Sequence, residues 1–128
     1  MERVRGVLAL MCLSILFLVN TVTAQDPIKV GPNIYKKLLE NDRVRMLEVT
    51  FAPGDSIAMH SHPDHAVYAV TAGKLRVTNS DGTTMVADLK AGDPIWFPAV
   101  AHAAKNIGAV PLKLVVVELK EKAPKMGK

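Results

Sequence analysis

From residue 41 onward a turn-forming cluster interrupts the chain roughly every 8–12 residues, at Asn41-Asp42, Pro53-Gly54-Asp55, Ser61–Asp64, Ala72-Gly73-Lys74, Ser80-Asp81-Gly82, Ala91-Gly92-Asp93 and Gly108. Such punctuation leaves no room for a helix of ordinary length. Between the turns lie short runs rich in β-branched and aromatic residues: Val44–Phe51, Ala66–Thr71, Leu75–Thr78, Thr83–Leu89, Ile95–Pro98 and Leu112–Leu119. Many short strands at even spacing imply a single all-β sandwich or barrel. Tyr35–Glu40 suits helix or strand; Asn41-Asp42 behind it makes a hairpin-like turn and favours a strand. The chain shows neither an internal repeat nor a low-complexity linker.

The first 24 residues stand apart from this pattern. A basic start, Met1-Glu2-Arg3-Val4-Arg5, precedes an apolar stretch from Val7 to Val19, and Val22-Thr23-Ala24 places small or medium residues at a cleavage position. This is the layout of a secretory signal peptide with Gln25 as the new amino terminus. The stretch is short of the roughly 20 residues a membrane span needs, so no membrane attachment is expected once the leader is removed. Cys12 lies within the apolar run rather than closing it, which argues against a lipid-anchored protein. The expected organisation is residues 1–24 as leader, 25–33 as an N-terminal arm, 34–119 as one β-domain and 120–128 as a flexible basic tail. The expected location is periplasmic or secreted.

Cys12 is the chain's one cysteine, so the mature protein is expected to have no disulfide and to rely on its core and any metal it binds. The net charge is +4, and much of the basic excess sits in the tail at Lys120, Lys122, Lys125 and Lys128. No basic helix with interleaved aromatics occurs, so nucleic-acid binding has no support.

All four histidines fall in two short segments. His60-Ser61-His62 places both rings on one side if the segment is a strand, since side chains alternate with period two. His65 follows closely, and His102 arrives from a distant segment. Imidazole is the commonest metal-binding side chain, so His60, His62 and His102 are the candidate ligands of one ion. The bland reading is that His60 and His62 hydrogen-bond a turn beneath a closed core.

The segments around these histidines resemble the two motifs of the cupin superfamily. Gly54, five residues, His60-Ser61-His62 and then Gly73 match the first motif, with Ala66 at the usual glutamate position. Gly92, five residues, Pro98, His102 and Asn106 are similar to the second, with Val100 replacing a frequent glycine and the Pro-to-His interval one residue short. The resemblance spans about residues 34–119 and implies a single-domain jelly-roll β-barrel. It also implies a site for a metal or a small ligand, and homodimerisation, to which exposed strand edges would contribute. His-Ser-His-Pro-Asp-His looks like that of small cupins assigned to β-alanine degradation, an association that does not fix function.

Three neutral imidazoles suit a divalent transition metal such as Zn, Cu, Fe or Ni. Without the glutamate a bound ion would keep its full double charge, polarise a bound oxygen strongly and attract anions. Arg3-Val4-Arg5 lacks adjacent arginines, so passage unfolded is expected, with metal acquired outside, where Cu or Zn is favoured. His65 could replace the lost carboxylate, although alternation turns it outward if position 66 faces inward, unless a bulge after Pro63 reverses the phase. Tyr68 and Val70 share the parity of position 66 and face inward if it does, Tyr68 as a hydrogen-bond donor to a ligand or as a core tyrosine. Arg45 shares the parity of Leu47, Val49 and Phe51. It either grips a substrate carboxylate or snorkels at the strand end. Trp96 and Phe97 read as packing, and Met46, Met59 and Met85 as core filler.

Two classes of function follow. One is a small metal-dependent enzyme of dioxygenase, decarboxylase or isomerase type, acting on a small organic acid, phenol or sugar. The other is a non-catalytic module that binds metal or a small ligand outside the cytoplasm.

Overall fold

The computed structural model describes residues 25–121. The expected leader, and the tail from residue 122 onward, lie outside the described residues. A one-turn helix, α1 (Pro27–Val30), precedes nine strands: β1 (Tyr35–Glu40), β2 (Val44–Phe51), β3 (Ser56–His62), β4 (His65–Ala69), β5 (Gly73–Asn79), β6 (Thr84–Leu89), β7 (Pro94–Phe97), β8 (Val100–Asn106) and β9 (Leu112–Leu119). They form two antiparallel sheets, ordered β1-β2-β9-β4-β7 and β3-β8-β5-β6. The sheets face each other as a jelly roll, the all-β architecture expected from the sequence.

Local chemistry sets these elements. Asn41 folds the first hairpin, its Oδ1 accepting from the backbone N–H of Arg43 and Val44 at 2.8 and 2.9 Å. Gly54 and Gly92, which open the two motifs, sit at φ +83° and +94°, a conformation that favours glycine. The alternating strands β2 and β9 supply the floor of the core: Leu47, Val49, Phe51, Leu112, Leu114 and Val116 are all buried. Leu75 and Val77 of β5 and Ala104 of β8 close it from the opposite sheet. Full burial of each large apolar side chain contributes on the order of 1.5–3 kcal/mol.

Asn106, the last residue of the second motif, is fully buried. Its Nδ2 donates to the carbonyls of Phe51 and Val110 at 3.1 and 2.9 Å, and its Oδ1 accepts from Gly108 N. It therefore stitches the loop after β8 to the end of β2.

Two irregularities aim the histidines. Between Ile57 and His60 strand β3 advances three residues while β8 advances two, from Ala104 to His102. This bulge at Ala58-Met59 changes the phase of β3, so that Ile57, His60 and His62 all point inward. The Pro63-Asp64 turn then carries the chain into the other sheet and restarts the alternation.

That restart overturns the expected parity of β4. His65, Val67 and Ala69 are buried, whereas Ala66, Tyr68 and Val70 face outward. Tyr68 is 52% exposed, so it does not reach the interior as a ligand donor, and Ala66 opens no space there. Trp96 and Met85 also lie on the surface rather than in the core, because β7 and β6 present those positions to the outer faces. Met46 and Met59 are only partly buried.

Candidate metal centre

Strand β3 brings His60 and His62 to the interior, and β8 places His102 in register opposite His60. One potential ligand atom from each ring lies within 4.8 Å of the others. The His60 and His102 ring centroids are 4.7 Å apart, and those of His60 and His62 4.9 Å. The structure thus brings together the three residues predicted to hold an ion.

Neighbouring acceptors fix which nitrogen His60 and His62 present. His60 Nδ1 donates to the Ala58 carbonyl at 2.9 Å, within the bulge that turned the residue inward. His62 Nδ1 donates to Glu118 Oε1 at 2.6 Å. With Nδ1–H occupied, the neutral ring offers its Nε2 lone pair, the arrangement that metal-binding histidines commonly use. With His102 beside these two, the three imidazoles form a donor set that fits Zn, Cu, Fe or Ni.

Burial keeps the cluster ready for an ion. It is the main reason the pKa of His60 falls to about 4 and that of His102 to about 3, with the neighbouring imidazoles pushing both further down. The Ala58 carbonyl pulls His60 part of the way back.

Glu118 was not singled out from sequence, although it shares the parity of Leu112, Leu114 and Val116 and so stood on an apolar face. Its side chain is 2% exposed. Burial alone would raise its pKa, but hydrogen bonds from His62 and Arg45 lower it instead. Arg45 Nε donates to Glu118 Oε2 at 2.6 Å, and Arg45 Nη1 to Asp26 Oδ2, also at 2.6 Å. The guanidinium, read from sequence as gripping a substrate carboxylate or snorkelling at the strand end, is engaged by two carboxylates of the chain itself. Its role is to neutralise the charge behind His62.

His65 is inside the barrel, contrary to the parity argument, but outside the group of three donors. Its ring lies 4.7 Å from that of His62 and stacks on Phe97 at 5.3 Å. Its Nδ1 donates to the Pro63 carbonyl at 2.7 Å, and burial lowers its pKa. Tyr35, the second residue missed from sequence, is 6% exposed. Its Oη lies 3.3 Å from His60 Nε2 and 3.5 Å from His62 Nε2. Beside the histidines is a cavity of about 60 Å³. One water needs roughly 10–15 Å³, so the cavity suits a small ligand. Apart from Tyr35, His62, His65 and His102 its lining is apolar, including Phe51, Val67, Ile95 and Phe97.

In the unfolded chain these imidazoles protonate below about pH 6.5, whereas the folded site resists until about 4 at His60 and 3 at His102. The unfolded state binds more protons throughout that interval, so the metal-free fold must lose stability as pH falls through it. Glu118, with its lowered pKa, acts in the same direction at the acid end. Thermal melts of metal-free protein should show Tm dropping steadily from about pH 7 to about pH 4.5; a flat profile would contradict this electrostatic account.

Residues 47–118 match the family model described as the cupin domain. A cupin domain from Bordetella pertussis is 28% identical, with a TM-score of 0.64 over 69% of this chain and 93% of that one. An uncharacterised conserved protein with a double-stranded β-helix domain from Klebsiella pneumoniae is 29% identical, with a TM-score of 0.55, covering 70% and 84%. A cupin superfamily protein from Desulfitobacterium hafniense, 24% identical at a TM-score of 0.54 and covering 69% and 77%, shares the fold. None of the curated proteins compared matches the chain. With the family model matching more than half the sequence, over both histidine motifs and the strands that carry them, this chain belongs to the cupin family.

Proposed function

We propose that this protein is an exported cupin that binds one divalent transition metal through His60, His62 and His102. In this reading it acts on a small organic acid or phenol by dioxygenase-, decarboxylase- or isomerase-type chemistry. The observation that carries the reading is the convergence of three imidazoles, two buried and with their Nδ1 atoms already tied to acceptors and the third half-buried, beside a small cavity. A bound ion would supply Lewis acidity towards an oxygen atom of the ligand.

The chain's own residues do the rest. Glu118 holds the His62 ring in place and offsets positive charge from behind it. Phe97, Ile95 and Val67 keep the cavity apolar, which strengthens electrostatic interactions inside it. The volume limits a ligand to a handful of heavy atoms.

The second reading, a non-catalytic metal- or ligand-binding module, is favoured by the largely apolar lining. Oxygen-uptake assays with small acids and phenols separate the two readings.

The proposal includes export, supported by the leader pattern of residues 1–24, and a homodimer. A second copy would cover the outer groove formed by Ala66, Tyr68, Pro94, Trp96, Val115 and Val117. This apolar groove adjoins β7, an edge strand with unpaired backbone groups.

Three outcomes are expected. Metal analysis should find about one ion per wild-type chain, with affinity reduced more than about 100-fold in His60→Ala and in His102→Ala; an ion retained by both variants would remove the proposed site. Amino-terminal sequencing of protein recovered from its native compartment should begin at Gln25, and a retained Met1 would refute export with cleavage. Sedimentation should give twice the chain mass, falling to a single chain in Trp96→Glu; a monomeric wild type would rule out the dimer.

A further inference from the structure

We infer that Tyr35 Oη is a fourth protein donor at the metal centre. This inference rests on the three-histidine site proposed above and extends its ligand set. Tyr35 is the only buried residue of β1; the other five are exposed. Its N–H is held by the Gly31 carbonyl at 2.9 Å. Its ring meets His60 edge-on, with centroids 5.6 Å apart, and lies tilted against His62 at 5.8 Å. The strand thus turns one side chain into the site and sends the rest to solvent.

The distances point to shared coordination rather than to a strong hydrogen bond. Two donors about 2.0–2.1 Å from one tetrahedral ion are roughly 3.3–3.4 Å apart. Tyr35 Oη is 3.3 Å from His60 Nε2 and 3.5 Å from His62 Nε2. A well-formed hydrogen bond from a hydroxyl is shorter, typically about 2.7–2.8 Å. The other oxygen and nitrogen donors nearby are differently engaged. Both oxygens of Glu118 are taken, by His62 and Arg45, and His65 lies outside the donor group.

Coordination exchanges the phenolic proton, released to buffer, for the ion, and reduces the centre's net charge from +2 to +1 as a carboxylate ligand would. Burial and the nearby Glu118 raise the phenol's pKa, so the metal-free site keeps the proton. A doubly charged ion inverts that local balance.

Copper(II) titration of the metal-free full chain tests the assignment. Wild type should develop a visible phenolate-to-copper charge-transfer band that saturates at about one ion per chain. Tyr35→Phe should still bind about one copper through its histidines, without the band and roughly 10–100-fold more weakly. Tyr68, the other tyrosine of the chain, provides the control: Tyr68→Phe should keep the band. Identical spectra for wild type and Tyr35→Phe overturn the inference even if affinities differ. Absence of copper uptake by wild type overturns the three-histidine site itself, a separable result. If Tyr35→Phe does not fold, resonance Raman on copper-loaded wild type decides, since missing tyrosinate ring modes refute ligation.

Discussion

The buried carboxylate of Glu118 ties the fold to the site. Removing an ionised carboxylate from water costs several kcal/mol, recovered only through close, well-directed partners. Glu118 has two such contacts, both at 2.6 Å, to Arg45 and to His62. Arg45 reaches on to Asp26, the residue that caps α1 through its other oxygen. One chain of charge therefore connects the N-terminal arm, β2, β9 and β3. Taking away a single member of such a buried set typically costs about 3–5 kcal/mol, because a charge is left unmatched. The same contact decides which nitrogen His62 shows to the interior. Stability and metal-readiness are thus properties of one arrangement.

The cross-strand register makes this possible. On the five-stranded sheet Arg45, Glu118, His65 and Phe97 are partners in one row across β2, β9, β4 and β7. The three histidine donors come from the opposite sheet. A charged and aromatic row thus faces the imidazoles across the interior, and the apolar core lies further along the same strands. The fold alone would not assign chemistry. The converging imidazoles, the carboxylate behind one of them and the small, largely apolar cavity are what support a metal site.

Much of this was legible in the sequence where alternation was undisturbed. Strands β1, β2 and β9 have the bounds their patterns imply, and Arg45 faces inward as its parity required. Strands β3 and β8 were invisible as β-branched runs, because Ser-Ile-Ala-Met-His-Ser-His and Val-Ala-His-Ala-Ala-Lys-Asn carry few β-branched residues. They showed themselves only through their histidines. The facing of β4 was misread because its alternation was anchored on an inward position 66, the motif's glutamate site, whereas the turn into the other sheet sets the opposite phase, so that His65, Ala66 and Tyr68 all reversed together. Tyr35 and Glu118 went unrecognised as site residues for another reason. Their approach to His60 and His62 depends on closure of the two sheets, to which local spacing is blind.

The most direct test is the position of a bound ion relative to the imidazoles. Crystals grown with zinc and measured on either side of its absorption edge should give a single strong anomalous peak inside the barrel. The account predicts that peak about 2.0–2.1 Å from one nitrogen each of His60, His62 and His102. A peak confined to surface carboxylates, or an interior without any anomalous signal, would contradict it.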